Sequence, residues 1–151
     1  MDDIRATIAT YGWMVMRIDE DDQGPGFAYT IGLEQSFAHP EVIVVGLRMD
    51  TAQTVLNNVG ADIRGGAAYA AGLIYTDILD AYSVTFRRVP EYQYAAYLGA
   101  ARRYYAERAF RALQLIYPSR DGRWPWDTEA AEAFREAQPV LADTPLPDWA
   151  S

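Results

Sequence analysis

Residues 24–47, GPGFAYTIGLEQSFAHPEVIVVGL, hold a Gly-Pro-Gly turn, two strand-like apolar runs and the only histidine of the chain, His39. Residues 41–46 are nearly all apolar and β-branched, the composition of a strand covered on both faces. Residues 27–33 read as a second strand. Upstream, residues 13–18 alternate Trp13, Val15 and Arg17 against Met14, Met16 and Ile18, as a strand does. The segment between them, DEDDQGPG, is too acidic and glycine-rich for regular structure, so the two flanking strands form a hairpin. His39 precedes Pro40, which holds it extended where the next strand begins.

Working outward, Ile4, Ile8 and Tyr11 recur at helical spacing and Gly12 stops the helix, which spans residues 2–10. Asp50 opens a second helix, with Gln53 completing a capping box. Ala52, Val55, Leu56, Val59 and Ile63 form its apolar stripe, and Gly65-Gly66 ends it. A weak strand follows at 73–76 and a clearer one at 82–89. Pro90 suits the first turn of a helix bearing Tyr94, Tyr97, Leu98, Ala101 and Tyr105 on one face. Residues 112–117 are the last strand, and Arg120-Asp121-Gly122-Arg123 makes a tight turn. From Gln138 the chain is proline-rich and extended, with 143–151 a loose tail. One domain over 1–151, its core at about 11–141, is expected: an α+β fold with a mostly antiparallel, curved or barrel-like sheet and two or three packed helices.

Composition removes whole classes of chemistry. The chain has no cysteine and no lysine; all 13 basic side chains are arginine. Thiolate and Schiff-base catalysis, cysteine metal sites and a phosphate-loop lysine are therefore absent. One histidine cannot build a two-histidine metal site, and Asp19, Glu20, Asp21 and Asp22 lack calcium-loop spacing, so no metal is expected. The formal charge of −8 argues against nucleic acid. No apolar run reaches the roughly 20 residues of a membrane helix. The acidic, amphipathic start is unlike a signal peptide, which makes the cytoplasm the expected compartment.

The candidate chemistry is sparse. His39 either contacts a ligand or moves a proton, or bonds a backbone carbonyl and fixes its loop. Thr30 and Ser36 are the nearby hydroxyls for a His39-dependent hydrolase, but no nucleophile elbow is present. The Gly24-Pro25-Gly26 turn either lets a backbone approach a ligand or simply turns a hairpin. In LQLIYPSRDGRWPWD, Trp124 and Trp126 flank Pro125 beside Arg120 and Arg123. Aromatics with arginine suit a planar anion or a partner protein; the alternative is that the tryptophans cover core. Arg102, Arg103, Arg108 and Arg111, with Tyr104 and Tyr105, read as a solvated helix face or an RNA contact.

The combination of Gly-Pro-Gly-Phe-Ala-Tyr-Thr, Gly-Leu, His-Pro-Glu and Asp-Gly-Arg-Trp-Pro-Trp, with an Ala-Leu-Asn helix between and QPVL after, resembles the bacterial domain of unknown function 4262 family over residues 11–141. The matching positions are Gly24, Pro25, Phe27, Tyr29, Thr30, Gly32, His39, Pro40, Glu41, Gln114, Asp121, Gly122, Trp126 and Asp127. That family carries no established activity. A fainter likeness is to split-barrel flavin reductases and pyridoxamine-phosphate oxidases. It implies a flavin at a homodimer interface, with Arg48, Arg64, Arg87 or Arg88 on the phosphate. The leading expectation is a binding domain for an unidentified small molecule or protein. Its pocket would be lined by Phe27, Tyr29, Thr30, His39, Glu41, Asp121, Arg123, Trp124, Trp126 and Asp127, with Arg123 on an anionic group. A flavin-dependent oxidoreductase is the first alternative, and a hydrolase with His39 as its catalytic residue the second.

Overall fold

In the computed structural model, which describes residues 2–79 and 82–143, the apolar run becomes a central strand, β3 (Glu41–Val45), buried at all five positions. The preceding hairpin is β1 (Met14–Ile18) and β2 (Phe27–Ile31), and β2 pairs antiparallel with β3. On its other side β3 pairs with β6 (Ala112–Ile116), and this pair is parallel. β5 (Tyr82–Arg88) and β4 (Ile74–Leu79) complete the sheet, in the order β1-β2-β3-β6-β5-β4.

Both faces of the centre are covered. Val42, Val44, Val84, Phe86, Leu113 and Leu115 meet α3 (Met49–Arg64) through Ala52, Val55, Leu56, Val59 and Ile63. Burying each larger aliphatic of that stripe contributes about 1.5–3 kcal/mol. Tyr29, Ile31, Ile43 and Val45 face the opposite layer. There Ile8 of α1 (Asp2–Tyr11) and the aromatic and alanine face of α4 (Tyr94–Tyr97) and α5 (Gly99–Tyr105) cover them. The α+β class and the mostly antiparallel pairing are as expected. The sheet is open, with β1 and β4 as edges, and does not close into a barrel. A barrel needs one strand face turned to its interior; here helices occupy both.

Several local expectations are corrected. The strand expected over 27–33 stops at Ile31, and the chain turns through Gly32 (φ 119°) into a short helix, α2 (Leu33–Phe37). A Cβ on Gly32 would lie 2.7 Å from the Gly12 carbonyl oxygen, so no other residue fits there unshifted. α3 starts one residue early and has Arg48 as its N-cap, without a side-chain cap. Asp50 and Gln53 are engaged instead by Arg17 of β1, at 3.5 and 2.9 Å. The helix expected after Pro90 is a 3₁₀ turn (Glu91–Gln93), then α4, then α5, interrupted at Leu98. Leu98 is fully buried, and Gly99 after it favours the break. The strand expected at 73–76 runs on to Leu79. A sixth helix, α6 (Glu132–Ala137), has no counterpart in the sequence reading. Residues 138–143 carry no regular structure; the rest of the expected tail lies outside the described residues.

The indole of Trp13 lies against Gly60 of α3 and donates from Nε1 to Asn57 Oδ1 at 3.1 Å. A Cβ at position 60 would sit 2.4 Å from the indole Cε2. Gly60→Ala is therefore expected to destabilise by about 1–3 kcal/mol through overpacking, lowering Tm by about 2–10 °C. A thermal melt that leaves Tm unchanged would show that α3 can move off β1 freely.

Candidate functional site

Glu41, the first residue of β3, is fully buried, and five donors converge on its carboxylate. Thr30 Oγ1 donates to Oε1 at 2.8 Å and the Leu33 amide at 3.1 Å. The amides of Gly32 and Glu34 donate to Oε2 at 3.0 and 3.2 Å, joined there by the Tyr105 hydroxyl. Thr30 Oγ1 in turn accepts the Val42 amide at 3.0 Å, and the Tyr105 oxygen accepts the Gln35 amide at 3.3 Å. One side chain thus satisfies the unpaired amides that open α2 and ties β2, β3 and α5 together. Burial pushes the Glu41 carboxyl up to about 7, against the pull of Tyr105, Thr30 and the amides. Burial and the neighbouring carboxylate push the Tyr105 hydroxyl well above its ordinary range, so it remains a donor.

Tyr29 is buried, and its hydroxyl accepts the Ala100 amide at 3.0 Å, joining β2 to α5. Phe27 lies beyond it, 6.4 Å from the Tyr29 ring and 5.1 Å from Tyr97. His39 is 5 % exposed and committed at both nitrogens. Nε2 accepts the Tyr69 amide at 3.0 Å, which places the proton on Nδ1, 2.8 Å from the Pro40 oxygen. Burial lowers the pKa of the ring, in keeping with this neutral form. Neither candidate hydroxyl meets it: Thr30 bonds Glu41, and Ser36 Oγ donates to the Gly12 oxygen at 2.7 Å. The geometry is that of the backbone-fixing alternative.

The tryptophan segment lies elsewhere. Because β3 and β6 run parallel with Glu41 opposite Ala112, His39 stands before the start of one strand while residues 118–127 follow the end of the other. Five residues of strand, about 17 Å, separate these two ends. The pocket expected to unite His39 with the tryptophans is thus divided between opposite ends of the sheet. The turn after β6 is internally bonded. Ser119 Oγ reaches Asp121 Oδ1 at 2.5 Å, the Gly122 amide donates to the Ser119 oxygen at 2.9 Å, and Asp127 Oδ2 accepts the Trp124 amide at 2.8 Å. The bond from Ser119 lowers the pKa of Asp121. Trp124 and Trp126 stack with centroids 5.4 Å apart, and Arg123, expected to hold an anion, pairs with Glu129 at 2.6 Å.

A cleft of about 740 Å³ opens at this same end. Its walls are Leu47, Leu79, Tyr82, Tyr117 and Phe134, with Arg48, Arg120 and Asp121 as its charged groups. Tyr117 is fixed there by donating to the Val45 oxygen at 2.8 Å. Of the residues expected from sequence to form the site, Asp121 alone lines this cleft. Clefts at the carboxyl ends of parallel strands are frequent ligand sites. The signal that could have located this one is Gly46 (φ 92°), which turns the chain from β3 toward α3 and exposes the strand end.

The family described as Domain of unknown function (DUF4262) matches residues 7–131, most of the chain, and the chain belongs to that family. No curated protein and no solved structure matches it. The fainter likeness to split-barrel flavin reductases gains no support from these comparisons or from the open sheet.

Glu41 holds its proton in the folded state up to about 7, against an ordinary 4.5. A raised folded pKa contributes stability that is full below pH 4.5 and is lost as pH rises through about 7, on the order of 3 kcal/mol in all. His39, with its lowered pKa, acts oppositely below its ordinary 6.5, so the two overlap in a melt. The carboxyl ¹³C shift of Glu41 isolates the first: its titration midpoint is expected near 7, and a midpoint in the ordinary carboxylate range would refute the assignment.

Proposed function

We propose that the chain is a small-molecule-binding domain whose ligand is an amphipathic anion, an apolar or aromatic body bearing a carboxylate or phosphate, held in the cleft at the carboxyl ends of β3 and β6. The observation that carries this reading is the juxtaposition of apolar walls with two arginines that have no acidic partner among the described residues. Among the described residues the ion pairs engage Arg17, Arg111 and Arg123, and none engages Arg48 or Arg120. The volume of about 740 Å³ falls in the range of ordinary ligand pockets. Tyr82, Tyr117 and Phe134 supply flat surface, and a guanidinium offers a carboxylate or phosphate its paired donors.

In this reading His39 and Glu41 shape the scaffold without touching the ligand. Asp121, held by Ser119, also lines the cleft and favours an approach that turns the anionic group toward the arginines. No bond-making step is needed for the domain to act as a receptor or carrier of such a molecule.

The chemistry can be probed with 2-naphthoate and its neutral amide. Naphthoate is expected to shift the amide resonances of Leu47, Arg48, Tyr117 and Arg120, and Arg48→Ala with Arg120→Ala to weaken it about tenfold, the worth of one charge-assisted hydrogen bond. Equal affinity for acid and amide, or shifts confined to other regions, would refute the reading.

A further inference from the structure

At the opposite end of β6 a second cleft, of about 550 Å³, lies between α5 and the segment leading into β6, and Arg102, Arg103 and Arg108 all line it. We propose that it is a phosphate site, for a phosphomonoester or free phosphate. Glu91 is the one acid on its lining, so three guanidiniums face a single carboxylate. None of the three arginines has an ion-pair partner among the described residues, on a chain that carries 21 acidic side chains.

Arg108 is built into place. Its Nε and Nη2 donate to the carbonyls of Tyr105 and Tyr104, both at 3.2 Å, and its Nη1 donates to Gln35 Oε1 at 3.3 Å. The guanidinium lies 5.6 and 5.4 Å over the rings of Tyr104 and Tyr105. A guanidinium has five N–H donors, so this arrangement spends three and leaves two free to donate. The backbone that aims it is strained. Ala106 has φ 55° and ψ −115°, inside a turn closed by the Arg108 amide on the Tyr105 oxygen at 3.0 Å. Such a conformation suits glycine, and a non-glycine residue held there is often tied to a binding site. Arg103 runs along α5 to the break before it, its Nη1 3.6 Å from where a Cβ on Gly99 would stand.

Three guanidiniums without an ion-pair partner among the described residues, around one concavity, match an oxyanion with several acceptors and two charges better than a monoanionic carboxylate. Phe110 and Ala109 on the lining give an ester's organic part an apolar surface. The site is independent of the amphipathic-anion cleft, which lies past the far end of β6 and shares none of its lining residues.

Titrations of the full chain with inorganic phosphate, phenyl phosphate and acetate, read by the arginine Nε–Hε resonances, test this. Saturable shifts at Arg102, Arg103 and Arg108 are expected with both phosphates at about millimolar concentration and not with acetate. The exposed pair Arg102→Ala with Arg103→Ala is expected to weaken phosphate binding at least tenfold with an unchanged fold. Arg108→Lys, which keeps the charge and loses the fork, weakens it severalfold. Arg48→Ala with Arg120→Ala leaves it unaltered. Tighter binding of phenyl phosphate identifies an ester, and equal binding a free phosphate. Absence of saturable shifts, an equal response to acetate, or full affinity in the Arg102/Arg103 variant would overturn the proposal.

Discussion

The carboxylate of Glu41 is the constraint on which the rest of this structure depends. It sits at the first position of the central strand and takes hydrogen bonds from β2, from the start of α2 and from α5. A buried carboxylate is costly unless its lone pairs are filled, and removing it would strand all five donors. The five donors therefore specify one arrangement of four chain segments. They also account for α2, whose five residues are too few to be stable alone and whose opening amides are satisfied from outside the helix.

Other polar side chains do similar work. His39 bridges Pro40 and the Tyr69 amide, across 30 residues of sequence. Gln114 on β6 accepts the Leu141 amide at 2.9 Å and donates to the Pro139 oxygen at 2.8 Å. Gln138 closes a reciprocal pair with the backbone of Tyr117. Asp127 caps the turn at Trp124. Gly32 leaves no room for a side chain against Gly12. In each case a polar group is satisfied by backbone that a packed interior could not otherwise hydrate. These buried polar groups read as a set of internal pins, and none of them lines the two clefts at the ends of β6.

That division explains what was legible. Apolar periodicity located strands at 13–18, 27–33 and 41–46, near their observed places, and the stripe of α3, while turn residues located the tight turn at 120–123, because each follows from its own sequence. The parallel pairing of β3 with β6 could not be read. It joins segments some 70 residues apart and depends on which faces the intervening helices cover. Without it, nothing in the motif separates His39 from the distant tryptophans, and the sequence alone joins them in one pocket. α2 escaped because a buried acid supports it, α6 because it is only six residues long. Arg48 and Arg120 stand out separately, one for a flavin phosphate and one beside the tryptophans; that they share a cleft follows only from the fold.

Net charge is the sequence property most easily over-read here. A formal −8 speaks to a long polyanion, whose charges approach many parts of the surface at once. A small anion samples only its surroundings, because at physiological salt the Debye length is about 8 Å. Within that distance the arginine composition decides. Exposed ion pairs contribute about 0–1 kcal/mol, so leaving an arginine unpaired costs little on an open surface and by itself signals nothing. Concavity changes this: low-dielectric walls focus the field of each guanidinium into the cleft. Of the arginines without an ion-pair partner among the described residues, Arg48 and Arg120 line one concavity, and Arg102, Arg103 and Arg108 another. An acidic net charge is therefore no argument against the two proposed small-anion sites.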